Sequence, residues 1–97
     1  MATYISLVNY TEQGIKSIKE SPKRVDGVRV LAEKLGGKMG DLYLTMGAYD
    51  LVAISEFPDA EAAAKFALTL GSMGNVRTTT LQAFGEDQFR DIVSSMP

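Results

Sequence analysis

The run Lys38-Met39-Gly40-Asp41-Leu42-Tyr43-Leu44-Thr45-Met46-Gly47-Ala48-Tyr49-Asp50-Leu51-Val52-Ala53-Ile54-Ser55-Glu56 decides the fold. From Lys38 to Met46 the side chains alternate, with Leu42, Leu44 and Met46 on one face and Asp41, Tyr43 and Thr45 on the other, the period of a strand. Asp50 to Glu56 reads as the next strand. The link between them is short and contains Gly47, so the two strands pair as a hairpin.

Working outward, a helical segment flanks the hairpin on each side. On the N-terminal side Thr11 offers a hydroxyl cap, with Glu12 and Gln13 in the first turn, where negative charge suits the helix dipole. Ile15, Ile18, Val25, Val28, Ala32 and Leu35 recur at helical spacing. Ser21-Pro22 breaks or restarts this segment, with Ser21 as cap and Pro22 at the first position of the second half; Gly36-Gly37 ends it. On the C-terminal side Asp59 caps a helix rich in alanine (Ala60, Ala62, Ala63, Ala64, Ala67), with Phe66 and Leu70 for bulk and Gly71 and Gly74 to close it.

Further outward lie one more strand at each end, Thr3 to Val8 and Val76 to Phe84, the latter with Thr78, Thr79 and Thr80. A short terminal helix follows Gly85, with Phe89, Ile92, Val93 and Met96 on one face. The order is β-α-β-β-α-β plus a helix. It predicts an α+β, ferredoxin-like domain over residues 1–97, one four-stranded antiparallel sheet covered by helices on one side.

Both faces of the predicted sheet are apolar. Ile5 and Leu7 alternate with Tyr4, Ser6 and Val8, and Leu51 and Ala53 alternate with Val52 and Ile54. A sheet that meets water on one side normally alternates more cleanly. A second subunit covering the open face is therefore expected, and a domain of 97 residues gains from association because alone it buries a modest share of its surface.

Composition narrows the chemistry. The chain has no Cys and no His, which removes thiolate nucleophiles, zinc ribbons, iron–sulfur ligation and the commonest neutral-pH base and metal ligand. No metal site and no resident cofactor are expected, and no haem with a proximal histidine. A net charge of −2 with scattered Lys and Arg gives no basic stripe for nucleic acid. No apolar run approaches the length of a membrane span, and the N-terminus lacks the pattern of a signal peptide, so a cytoplasmic protein is expected.

The residues also carry a family likeness. The chain resembles the GYD domain family over nearly its whole length. The likeness rests on Thr3-Tyr4-Ile5-Ser6-Leu7 with Thr11-Glu12-Gln13-Gly14, on Ser21-Pro22-Lys23-Arg24, and on Leu31-Ala32-Glu33-Lys34-Leu35-Gly36-Gly37. The Gly-x-Tyr-Asp signature falls on Gly47, Tyr49 and Asp50, and Gly74-Asn75-Val76-Arg77-Thr78 matches the start of the last strand. The resemblance implies a dimeric α/β barrel. It implies an oligomeric habit rather than a reaction.

Four residues stand out as candidate ligand contacts: Tyr49, Asp50, Asn75 and Arg77. Tyr49 could donate a hydrogen bond that Asp50 orients; alternatively Tyr49 packs at the sheet edge and Asp50 binds backbone amides. Arg77 offers a forked donor for an anionic ligand or an ion pair with a carboxylate such as Asp50. Tyr4, Tyr10 and Tyr43 read as packing aromatics, and Lys16, Lys19, Lys23 and Arg24 as a solvated face. No catalytic residue is assigned. The favoured function is a homo-oligomeric module that binds a small anionic or aromatic ligand or another protein. The alternative is a cofactor-independent monooxygenase-type enzyme acting on an aromatic substrate. RNA binding fits worst, because the central strands lack the combined basic and aromatic pattern that stacks bases and the overall charge is negative.

Overall fold

The computed structural model describes all of residues 1–97. The elements run β1 (Ala2–Tyr10), α1 (Glu12–Lys16), a 3-10 turn (Ile18–Glu20), α2 (Ser21–Lys34), β2 (Lys38–Leu44), β3 (Leu51–Phe57), α3 (Ala60–Ser72), β4 (Val76–Ala83) and α4 (Glu86–Ser94). The strands form one antiparallel sheet in the order β2-β3-β1-β4, as the sequence order predicts.

The caps explain where the helices start. Thr11 Oγ1 accepts from the Gly14 amide at 3.1 Å, and Asp59 Oδ1 accepts from the Ala62 amide at 2.8 Å. Gly36, at φ 81°, ends α2. The break at Ser21-Pro22 is present but Ser21 is not its cap. Ser21 is already helical at φ −56°, ψ −45°, and its hydroxyl bonds Tyr10 Oη at 2.7 Å instead.

One face of the sheet meets the helices. Tyr4, Ser6 and Val8 of β1 and Ala53, Ser55 and Phe57 of β3 are buried there. Phe57 centres the core, with the rings of Tyr4 and Phe66 at 6.1 and 5.0 Å and Ala32, Ala62 and Ala63 closing around it. Alanines on α2 and α3 let the helix backbones approach these rings. α2 packs over β2, and α3 over β3 and β4.

The hairpin departs from strict alternation. Met39 pairs with Ser55 and Leu42 with Ala53, so β2 carries an extra residue at Gly40-Asp41, a bulge that turns both Met39 and Leu42 toward the helices. The expected shared face of Leu42, Leu44 and Met46 does not hold as a packed face. β2 ends at Leu44, which is 77% exposed, and Met46 rides the connection clear of the sheet at 100% exposure. No helix is long and apolar enough to cross a membrane.

Candidate functional site

The Gly-Ala-Tyr-Asp connection is a corner that locks three strands. Gly47 takes φ 142°, a conformation side chains disfavour. The Asp50 amide donates to Val8 O at 2.9 Å, and its carbonyl accepts from the Thr45 amide at 2.8 Å. Its carboxylate Oδ2 accepts from the Tyr10 amide at 2.9 Å. Asp50 therefore continues the β1–β3 ladder with a side chain where the backbone can no longer reach. Tyr49 is half-buried beside it, and its carbonyl accepts from Thr45 Oγ1.

Asn75 and Arg77 sit at the same end of the sheet, across β1. The Asn75 carbonyl accepts from the Thr11 amide at 3.1 Å and its side-chain oxygen from Gln13 Nε2 at 3.0 Å, which ties α1 to the start of β4. Arg77 is exposed and pairs in register with Asn9. An ion pair between Arg77 and Asp50 does not form. All four ion pairs of the chain are helical i,i+4 contacts, and none involves Arg77. The reason is topological: β1 lies between β3 and β4, and the Asp50 carboxylate is engaged by the Tyr10 amide. Two strand spacings, about 10 Å, separate the backbones that carry the two groups.

The opposite face of the sheet has no helix on it. In register, Ile54, Ile5 and Leu81 form one row across three strands, and Tyr43, Val52, Leu7 and Thr79 a second across four. Beyond β4, α4 adds the stripe Phe89, Ile92 and Val93, which Met96 follows just after the helix, and none of these residues is buried. The consequence is measurable. The chain exposes 6662 Å², whereas a compact monomer of 10.5 kDa exposes about 5,400 Å². Its radius of gyration is 14.6 Å, against about 12.5 Å expected for this length.

A concave feature lies on the helix side. α2 and α3 diverge over the sheet and leave a groove of about 230 Å³ lined by Val25, Val28, Leu70, Met73 and Val76, together with Tyr10, Ser21, Arg24 and the predicted site residue Asn75. A smaller apolar chamber of about 70 Å³ adjoins it, sharing Val28, Leu70 and Val76. Arg24 is not part of a solvated face. It is half-buried, with Nη1 donating to Ser17 O and Oγ at 3.3 and 3.2 Å and Nη2 to Gly14 O at 3.4 Å. The signal was available: Ser21, Arg24, Val25 and Val28 follow i, i+3, i+4, i+7 spacing and so share one helix face. Tyr10 likewise does more than pack, through its bond to Ser21.

Known proteins bear on these features. The GYD domain matches residues 4–93. A Thermus thermophilus protein, named glutamine synthetase and cystathionine beta-lyase binding protein, is 34% identical over 84 residues, covering 86% of this chain and 88% of its own. The crystal structure of TTHA0845, also from Thermus thermophilus, superposes with a TM-score of 0.54 and 26% identity, over 88% of this chain and 95% of that one. A hypothetical protein of Pyrococcus horikoshii, PHS023, shares the fold at a TM-score of 0.61 and 18% identity, over 89% of this chain and 93% of that one. With the signature corner in place and the match running from the first strand into the last helix, the chain belongs to the GYD domain family.

Proposed function

We propose that this protein is a homo-oligomeric module that binds other proteins, with metabolic enzymes such as glutamine synthetase as the first class of partner. The observation that carries the reading is the uncovered apolar surface. The exposed area exceeds that of a compact monomer by roughly 1,200 Å², while a standard interface takes about 800 Å² from each partner. The rows through Ile5, Leu7, Val52 and Ile54 are the natural seat for a second copy, sheet against sheet, giving the dimeric barrel. The α4 stripe would then clasp the partner subunit. The kinship with a Thermus thermophilus protein named for binding two enzymes supports a binding role rather than a catalytic one.

The end of the sheet that carries the signature corner stays free in such an assembly. Tyr49 and Arg77 there are the proposed contacts, with Asp50 and Asn75 holding the backbone that presents them. Met46, standing fully exposed on the same corner, supplies an apolar anchor. Arg77 has no carboxylate within 4.0 Å and would meet an acidic group of the partner. A cytoplasmic location belongs to the same reading.

The test uses light scattering, then biosensor titration against purified glutamine synthetase and cystathionine β-lyase of the same organism. Assembly is expected in the full chain and weakened by removing residues 86–97. Saturable binding to at least one enzyme is expected. A monomer at tens of micromolar would remove the oligomer. Failure of both enzymes to bind at that concentration would remove the enzyme partners.

A further inference from the structure

We propose that the groove between α2 and α3 is a binding site for a small amphipathic monocarboxylate, its apolar body inside and its carboxylate against Arg24. Size, polarity and charge each contribute. The volume of about 230 Å³ falls below the ~300 Å³ at which drug-sized sites begin, so a single ring or a medium-length chain fits and a nucleotide does not. The walls are Val25, Val28, Leu70, Met73 and Val76, and the adjoining chamber extends the apolar path toward Phe66.

Four of the lining residues are polar: Tyr10, Ser21, Arg24 and Asn75. Among the lining residues Arg24 carries the sole formal charge, and no carboxylate lines the groove. The nearest, Glu20, is 4.0 Å from Arg24 Nη1 and mostly exposed. Arginine has five N–H donors. Three of its bonds are made within the chain, two from Nη1 and one from Nη2, so Nε and a second Nη2 hydrogen are uncommitted. Two donors on a planar guanidinium match one carboxylate. The hydroxyl pair of Tyr10 and Ser21 sits beside it.

Gly27 gives independent support. It lies in the interior of α2, where glycine weakens a helix relative to alanine. Apart from its chain neighbours and the backbone of its own helix, no atom comes within 4 Å of the place its Cβ would occupy, so packing against the rest of the fold does not require a glycine there. Gly27 lines the groove, and the space a side chain would take there is open.

The experiment is an NMR titration of the full-length chain with sodium octanoate below its micellar concentration, with 1-octanol as the neutral control. Methyl shifts are expected at Val25, Val28, Leu70, Met73 and Val76, with octanoate binding at least about tenfold tighter than octanol. Gly27→Leu should fold without loss of thermal stability and weaken octanoate at least about tenfold. Arg24→Gln should erase the preference for the acid over the alcohol. Equal binding of acid and alcohol to the native chain, shifts confined to the open sheet face or α4, or undiminished affinity in Gly27→Leu would each overturn the proposal. Gly27→Leu keeps the test decisive even where Arg24→Gln loosens α1.

Discussion

Asp50 Oδ2 accepts the Tyr10 amide hydrogen at 2.9 Å, joining the first residue before β3 to the last residue of β1. The same residue uses its amide on Val8 and its carbonyl on Thr45, so the side chain and backbone of one residue close the corner among β1, β2 and β3. The aspartate of the family signature is here an architectural residue, and its carboxylate does in the sheet what a backbone carbonyl would do if the ladder continued.

Asp50→Ala leaves the half-buried Tyr10 amide without an acceptor. The expected loss is about 1–3 kcal/mol. In a domain of this size each kcal/mol moves Tm by about 4–8 °C. Asp50→Asn keeps an acceptor oxygen and should recover part of the loss. Thermal unfolding at matched protein concentration checks both, and an alanine variant with unchanged Tm would show that the bond is dispensable.

How much of this was legible in the sequence depends on range. Thr11 and Asp59 announce their caps locally, and the hairpin order brings the sheet topology with it, so the architecture was readable. The bulge at Gly40-Asp41 was not, because a bulge is set by the partner strand, here the Met39–Ser55 and Leu42–Ala53 pairings. The candidate site was half readable. Tyr49, Asp50, Asn75 and Arg77 do gather at one end of the sheet, but an Asp50–Arg77 pair needed to know that β1 would come between them. Arg24 is hard to single out because charge density along Lys16, Lys19, Lys23 and Arg24 resembles a wet face until helical phase is applied to it.

Two glycines separate close approach from open space. A Cβ on Gly14 would run into the Asn75 carbonyl, whereas one on Gly27 would touch nothing. Gly14→Ala should therefore push α1 off β4 and cost about 1–3 kcal/mol, the range of overpacked sites. Gly27→Ala should gain up to about 1 kcal/mol from helix propensity alone. Opposite shifts in denaturation midpoint are expected, and shifts of the same sign would contradict the packing assigned to α1 or to α2.

Leu7 stands between Val52 and Thr79 on the open face, near the centre of its apolar rows. A lysine there remains in water in the isolated subunit, so folding should survive. In the assembly it would be driven against the apolar face of a second copy without a counter-charge. Leu7→Lys should raise the dissociation constant of self-association by at least about 100-fold. Circular dichroism should stay native while light scattering reports the subunit mass. An assembled Leu7→Lys protein would place the interface elsewhere.

Arg77 distinguishes a structural charge from a recognition charge. It is exposed and makes no ion pair, so Arg77→Ala should alter stability by no more than about 0.5 kcal/mol. If it meets an acidic group on the bound enzyme, the variant should bind that enzyme more weakly. Its binding should also depend less on salt, because a screened attraction has been removed. The assembly mass should not change, since Arg77 pairs with Asn9 in a polar row at the end of the sheet, one row beyond Leu7 and Thr79. A fall of several degrees in Tm without any partner present would return Arg77 to a structural role. A drop to subunit mass would instead assign it to the contact between copies of the chain.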